Sequence, residues 1–273
     1  IYRNCKMKRR TFAQYAGMAG TLMMLAPLML HSASSANESF PLMDLHVHLT
    51  PEFTIEQAME LAAKRNVKFG IVEHPAVWAI KDDTDLKKYI DELRKYPVFV
   101  GLQPLTPNWI LQFSPELLNR LDYILMDPQT IPLENDDFQR IYELTTYVED
   151  TEEFMERYMN YTLDILKNEP ITILGWPLFL PVCIARDYYT LWTAKRMETI
   201  IEATKARNIA IEINDMAHTP HEKFILMAKE AGLKFTFGSD SRNLNAGRLA
   251  YCKSIAQKCN LTRDDFFVPP MNK

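Results

Sequence analysis

The 273 residues carry a formal net charge of −4 and 47% hydrophobic side chains, enough chain for one sizeable α/β domain with a buried core. Residues 1–36 hold five basic side chains (Arg3, Lys6, Lys8, Arg9 and Arg10) and no acidic one, so the remaining 237 residues carry −9. A body this acidic is a poor match for nucleic-acid phosphates, and its few scattered glycines build no phosphate-cradling loop.

In chain order, Lys8-Arg9-Arg10-Thr11-Phe12 reads as a twin-arginine start. An apolar stretch from Ala13 to Leu30 and an A-x-A-like site at Ser34-Ser35-Ala36 follow it. Residues 1–36 are therefore expected to be a signal peptide beginning at Met7, with Ile1 to Lys6 as upstream read-through. Residues 37–273 are expected to be one exported domain, periplasmic or extracellular. The apolar run is long enough to raise a membrane helix as the alternative. Gly17, Gly20, Thr21 and Pro27 make it a mild one, and the cleavage pattern favours removal, hence no stable membrane insertion. Cys183, Cys252 and Cys259 remain, an odd set without paired spacing, and read as core or surface thiols rather than a disulfide framework.

After residue 40 the hydrophobic pattern alternates between strand and helix periods. Strands are expected at Leu42–His48, Val67–Glu73, Val98–Gln103, Tyr123–Asp127, Ile171–Trp176, Ile209–Asn214 and Lys234–Asp240. Amphipathic helices are expected at Thr54–Arg65, Thr84–Tyr96, Ser114–Leu121, Thr151–Asn168, Leu191–Arg207, His221–Ala231 and Ala246–Lys258. Thr54 with Gln57, and Ser114 with Pro115 and Glu116, read as helix caps. Seven strand–helix units suggest a parallel barrel, whose chemistry gathers at the C-terminal ends of the strands. The polar residues of this chain cluster there: His46 and His48, Glu73 and His74, Gln103, Asp127 to Gln129, Trp176, Asn214 and Asp215, and Asp240 to Arg242.

His46 and His48 are two residues apart and project to one side of a strand, forming half of a metal site. A strand with two half-buried histidines is the plainer reading of His-x-His alone. Asp240, at the end of the last apolar strand, supplies the carboxylate that tips the balance.

Four segments in order, Asp44-Leu45-His46-Val47-His48, Phe69-Gly70-Ile71-Val72-Glu73-His74, Ile209 to Asn214, and Ala228 to Gly232 leading into Gly238-Ser239-Asp240-Ser241, resemble the motifs of the PHP (polymerase and histidinol phosphatase) family. The resemblance runs through nearly the whole chain after residue 40. It implies a distorted (β/α)7 barrel and a metal-dependent hydrolase acting on a phosphoester or similar anionic ester.

The departures from the family pattern shape the expected site. Gln103 stands where a metal-bridging Glu is usual, Trp176 and Arg242 stand at His positions, Asp127-Pro128-Gln129 replaces a segment leading to His, and Thr54 replaces a further His. A neutral amide is a weak ligand, and neither an indole N–H nor a guanidinium can ligate a cation. His46, His48, His74 and Asp240 remain as metal ligands, with Asp127 or Glu73 as helpers. They imply one divalent ion (zinc, manganese or iron) rather than three. His74 is read as a further ligand or a general acid, and Arg242 as a holder of a small anionic substrate, against the plainer reading of an arginine paired with Asp215 or Asp240.

His218 and His221 lie in a loop expected to face the site and read as loop polarity, with ligation as the alternative. Glu212 reads as structural. Trp109, Trp176, Tyr188, Tyr189 and Trp192 are either loop packing or an aromatic substrate wall. Two further readings stay open: a PHP-like binding protein without catalysis, and an amidohydrolase-type barrel, which wants histidines on middle strands where none occur.

Overall fold

The computed structural model describes residues 40–133 and 137–271, so the expected signal peptide lies outside the described residues. In chain order the strands are β1 (Met43–Val47), β2 (Lys68–Glu73), β3 (Phe99–Leu102), β4 (Tyr123–Met126), β5 (Thr130–Pro132), β6 (Phe138–Arg140), β7 (Ile173–Leu174), β8 (Ala210–Asn214) and β9 (Phe235–Gly238). The helices are α1 (Ile55–Arg65), α2 (Asp83–Leu93), α3 (Pro115–Leu118), α4 (Thr151–Asn168), α5 (Tyr188–Leu191), α6 (Ala194–Ala206), α7 (Glu222–Glu230) and α8 (Ala250–Lys258). No helix among the described residues is long and apolar enough to cross a membrane.

Seven strands form one all-parallel sheet in the order β1-β2-β3-β4-β7-β8-β9. The sheet curls until its ends meet. Val47 bridges Ser241 in parallel, and the His48 N–H donates to the Ser241 carbonyl at 3.0 Å. Asp44 fastens the same seam. Its Oδ1 accepts the Ser239 N–H at 2.9 Å and its Oδ2 the Gly247 N–H at 2.7 Å. Joining the first strand to the last puts both ends of the sequence motif set around one mouth.

Two apolar layers follow from the strand alternation. Met43, Leu45, Val72, Phe99, Tyr123, Leu125, Ile173 and Ala210, all strand residues, fill the barrel interior. The larger layer packs the outward strand residues against the helices, for example Phe69 and Ile71 with Leu61, Leu86 and Ile90. Tyr123 plugs the interior, its hydroxyl donating to the Leu45 carbonyl at 2.7 Å. It fits because Gly70 and Gly101 face it: a Cβ on either would press into the Tyr123 side chain.

Helix ends match their local chemistry. Thr54 and Gln57 form the expected reciprocal capping box on α1, Asp82 and Asp150 cap α2 and α4, and Thr193 caps α6. Ser114 makes no side-chain cap; α3 opens on Pro115 and lasts one turn. The antiparallel β5–β6 hairpin had no counterpart in the expected elements. The helix expected over Leu191–Arg207 begins later, as α6 at Ala194, and the one-turn α5 just before it was not expected.

Candidate metal centre

Along β1, Met43 and Leu45 face the barrel interior while Val47 joins the outer layer, so the side-chain alternation changes phase within five residues. The register with β2 shifts between Asp44 and Val47, a bulge-like irregularity of the sort that re-aims side chains next to active sites. His46 and His48 converge on one oxygen. Asp240 Oδ1 lies 3.4 Å from His46 Nε2 and 3.3 Å from His48 Nε2. All three residues are buried, and neither Nε2 completes a hydrogen bond. Asp240 reaches in from the turn after β9 with a left-handed backbone, φ 47°. Aspartate tolerates that conformation better than most residues, because its short polar side chain can bond locally.

Glu212, on β8, stands behind His46. Its Oε1 is 2.7 Å from His46 Nδ1, and its Oε2 accepts the Trp176 N–H at 2.7 Å and the Asn214 amide at 3.1 Å. Glu212, read as structural, faces inward, and its carboxylate orients the His46 ring through Nδ1 so that Nε2 points toward Asp240. Gly238 on the neighbouring strand makes this possible, since a Cβ there would overlap Glu212 Oε1 and come within 2.8 Å of His46 Cβ.

A second group shares His48: ligand atoms of His48, Glu73 and His74 lie within 4.8 Å of one another, as do those of His46, His48 and Asp240. His74 Nδ1 is 2.9 Å from the Gln103 carbonyl, which again leaves Nε2 as the free nitrogen. Glu73 Oε1 accepts the His74 N–H at 2.7 Å. Asp127, expected as a helper, belongs to neither group. Its Oδ2 accepts the Gln103 amide at 2.7 Å and its Oδ1 the Gln129 N–H at 3.3 Å. The amide at position 103 thus occupies the carboxylate that faces it.

Arg242 pairs with Asp240 rather than Asp215, Nη1 to Oδ1 at 2.6 Å. Asp215 is engaged elsewhere, accepting the N–H groups of Tyr251 and Cys252 at the start of α8. The charges are arranged unequally. Burial opposes charge on His46, but Asp240 and Glu212 outweigh it and raise the imidazole to about 9, so a cation taken up at Nε2 would displace a proton. Burial drives His48 down to about 3, with Asp240 only partly offsetting it. Burial lowers His74 to about 4, and the nearby Arg242 adds to the effect. Burial also lifts Asp127 to about 6. Asp240 goes the other way: although burial raises it, His46, His48 and Arg242 hold it well below the usual carboxylate range.

Several expected participants are elsewhere. His218 stacks on Tyr251 at 4.7 Å, and His221 stacks on Tyr188 at 3.9 Å and contacts the Tyr189 hydroxyl at 2.9 Å. Neither enters a candidate metal group among the described residues, in line with loop polarity rather than ligation. Trp109 and Trp192 are core residues, Trp109 bonding Glu169 and Trp192 packing edge-on against Tyr158. They form no substrate wall. Trp176 does sit at the site's edge, through its backbone bond to Glu212, with φ 40° and a buried indole N–H lacking a partner. Its conformation costs roughly 1–3 kcal/mol, the kind of strain that collects at functional sites. One aromatic escaped the sequence reading. Trp78 is 66% exposed and touches the ring of His74 at 5.2 Å; its signal was an aromatic four residues past a candidate ligand. Cys183, Cys252 and Cys259 are free, the last two buried, as expected of core and surface thiols.

No protein-family model and no curated protein matches the chain. Among solved structures, histidinol phosphate phosphatase from Lactococcus lactis subsp. lactis Il1403, complexed with zinc, L-histidinol and phosphate, aligns with a TM-score of 0.56. The alignment covers 82% of this chain and 96% of that one at 14% identity. The two proteins share a fold. The barrel expected from the motifs is therefore the barrel observed, with His46, His48 and Asp240 gathered at its mouth. A cryo-EM structure of archaeal ribonuclease P with mature tRNA aligns over 80% of this chain and 90% of that chain, at 13% identity and a TM-score of 0.35. That likeness is too loose to carry an argument.

Proposed function

We propose that this protein is an exported metal-dependent phosphoesterase of the PHP type that uses one divalent ion. The observation carrying the reading is the pair of buried Nε2 atoms on His46 and His48, without hydrogen-bond partners, aimed at one carboxylate oxygen of Asp240. Two imidazoles and a carboxylate suit a zinc-like cation and leave coordination positions for water and substrate. The fit holds on burial as well, because such nitrogens are costly to leave unpaired. His48 belongs to both candidate groups, and we read them as alternatives around one ion.

A divalent ion bound there supplies Lewis acidity toward water and a phosphoryl oxygen. The side chains do the rest. Glu212 holds the His46 ring in orientation, and the Gln103 carbonyl does the same for His74. With its pKa near 4, His74 is neutral at ordinary pH and better suited to ligation than to proton donation. Arg242 anchors Asp240 through one nitrogen and offers its other N–H groups to an anionic oxygen. The likeness to a histidinol phosphate phosphatase complexed with zinc and phosphate supports a small anionic substrate, as do the twin-arginine pattern and apolar run for export.

The competing reading is a PHP-like protein that captures a ligand without turnover. It is favoured by Gln103, which ties up Asp127 in place of a bridging carboxylate. Elemental analysis of the natively exported protein tests the metal, and about one tightly held ion per chain is expected. A panel of phosphomonoesters and phosphodiesters with manganese, zinc or iron tests turnover. Hydrolysis that disappears in His48→Ala supports the enzyme. Ligand-induced thermal stabilisation with no turnover under any metal, removed by Trp176→Ala, supports the binding protein.

A further inference from the structure

Next to the metal centre, the turn after β9 and the start of α8 enclose a cavity of about 420 Å3, walled in part by Asp215, Asp240, Arg242, Asn243, Asn245 and Arg248. Its size suits a small molecule. Both of its carboxylates have hydrogen-bond or ion-pair partners. Asp215 Oδ1 accepts two N–H groups of α8, at 2.8 and 3.2 Å, and Asp240 faces His46, His48 and Arg242. Asn243 is occupied as well, its Oδ1 accepting the Asn245 N–H at 2.9 Å.

The cationic groups are the ones left to work. Arg242 is 44% exposed and uses one terminal nitrogen on Asp240. Arg248 is exposed, on a loop pinned from below, where Arg65 donates to the carbonyls of Ala246 and Leu244. That pinning crowds like charges. Burial, and then the guanidinium of Arg248, hold Arg65 below the usual arginine value, with Asp44 offsetting part of it. A protein of net charge −4 has thus gathered arginines on one wall beside its candidate metal site, an arrangement an anion stabilises.

Resting on the phosphoesterase reading, we propose that Arg248 is a specificity-determining residue that takes a carboxylate on the leaving group of the substrate, while the phosphoryl group sits at the metal centre beside Arg242. The guanidinium fork matches a carboxylate in two parallel hydrogen bonds. With Asp215 also on the wall, a singly charged group is a better match for Arg248 than a dianion. The preferred substrates are phosphoesters of small hydroxy acids over those of neutral alcohols.

Calorimetric titration of the zinc-loaded full chain with 3-phosphonopropionate and with propylphosphonate, equal in length but lacking the carboxylate, tests this without requiring catalysis. The carboxylated probe is expected to bind about tenfold more tightly, the scale of one charge-assisted pair. That ratio should fall close to one in Arg248→Ala and lie between in Arg248→Lys. A ratio near one in the parent, a ratio kept by Arg248→Ala, or no binding of either phosphonate overturns the proposal. If the selectivity holds and depends on Arg248 while no phosphoester is turned over, the hydrolase reading fails and the subsite stands. If hydrolysis proceeds with equal kcat/KM for acidic and neutral leaving groups, the subsite fails and the hydrolase stands.

Discussion

Glu212 Oε1 sits 2.7 Å from His46 Nδ1, both side chains fully buried, so the orientation of the first candidate ligand is decided by β8, two strands away across the closed seam. The same carboxylate accepts the Trp176 N–H and the Asn214 amide, tying the ends of β7 and β8 to the imidazole.

Glu212→Gln is therefore expected to lower metal affinity roughly 10–100-fold, the usual effect of losing a partner behind a ligand histidine. The new amide places a donor against Trp176 N or Asn214, so one bond there is lost as well. Gly238→Ala should act in the same direction, because its methyl would overlap Glu212 Oε1. Competition with a chromophoric chelator measures both. Unchanged affinity in the two variants would separate Glu212 from the metal centre.

Tyr123 offers a test of the barrel interior apart from the site. Its hydroxyl is the donor to the buried Leu45 carbonyl, and Leu45 precedes His46. Tyr123→Phe keeps the ring that Gly70 and Gly101 accommodate and removes only the bond. A loss of about 1–3 kcal/mol is expected, the cost of a buried acceptor left unpaired. Urea unfolding reads it as a lower midpoint with an unchanged slope.

How much of this was legible beforehand depends on the range of the interaction. The seven parallel strands and the helices between them follow from local alternation and caps, and their centres fall where the pattern put them. The β5–β6 hairpin was missed because Thr130–Pro132 and Phe138–Arg140 are three residues each, too short to show a period. His46, His48 and Asp240 were legible as residue types at strand ends. Glu212 was not, since a glutamate on a buried strand declares its direction only once His46 is known to lie beside it. The reading of His218 and His221 as loop polarity holds, but their partners were out of reach for a related reason. A loop position says nothing about the neighbouring ring, and Tyr251 and Tyr188 hold them.

His221 carries a pH prediction. Burial lowers its pKa below the ordinary histidine value, with the charge of His218 adding to the effect. In the unfolded chain the ring takes up its proton near about pH 6.5. The folded state resists that proton, so the stability His221 contributes is present above about pH 6.5 and is lost as pH falls below it toward the folded value. Melting temperatures between about pH 8 and about pH 5 should fall in the parent, and fall less in His221→Gln. Parallel curves for the two proteins would show that the ring stacked on Tyr188 titrates as freely as in the unfolded chain.

Arg242 brings the last prediction, because it touches the candidate ligand Asp240 and faces the cavity at once. Its Nη1 lies 2.6 Å from Asp240 Oδ1, the same oxygen that His46 and His48 approach. A guanidinium cannot ligate a cation, but it can hold an anionic oxygen beside one and stabilise charge developing there. Arg242→Lys keeps the charge and loses the fork; Arg242→Ala loses both. If Arg242 holds the substrate anion, kcat/KM for a phosphomonoester should fall about 10-fold in Arg242→Lys and about 100-fold or more in Arg242→Ala, with zinc content unchanged in both. If it serves only to position Asp240, Arg242→Ala should instead lose zinc or unfold more readily, and Arg242→Lys, whose ammonium still reaches a carboxylate, should behave like the parent. Elemental analysis alongside the kinetics decides between the two, because only the first outcome leaves the metal in place while turnover falls.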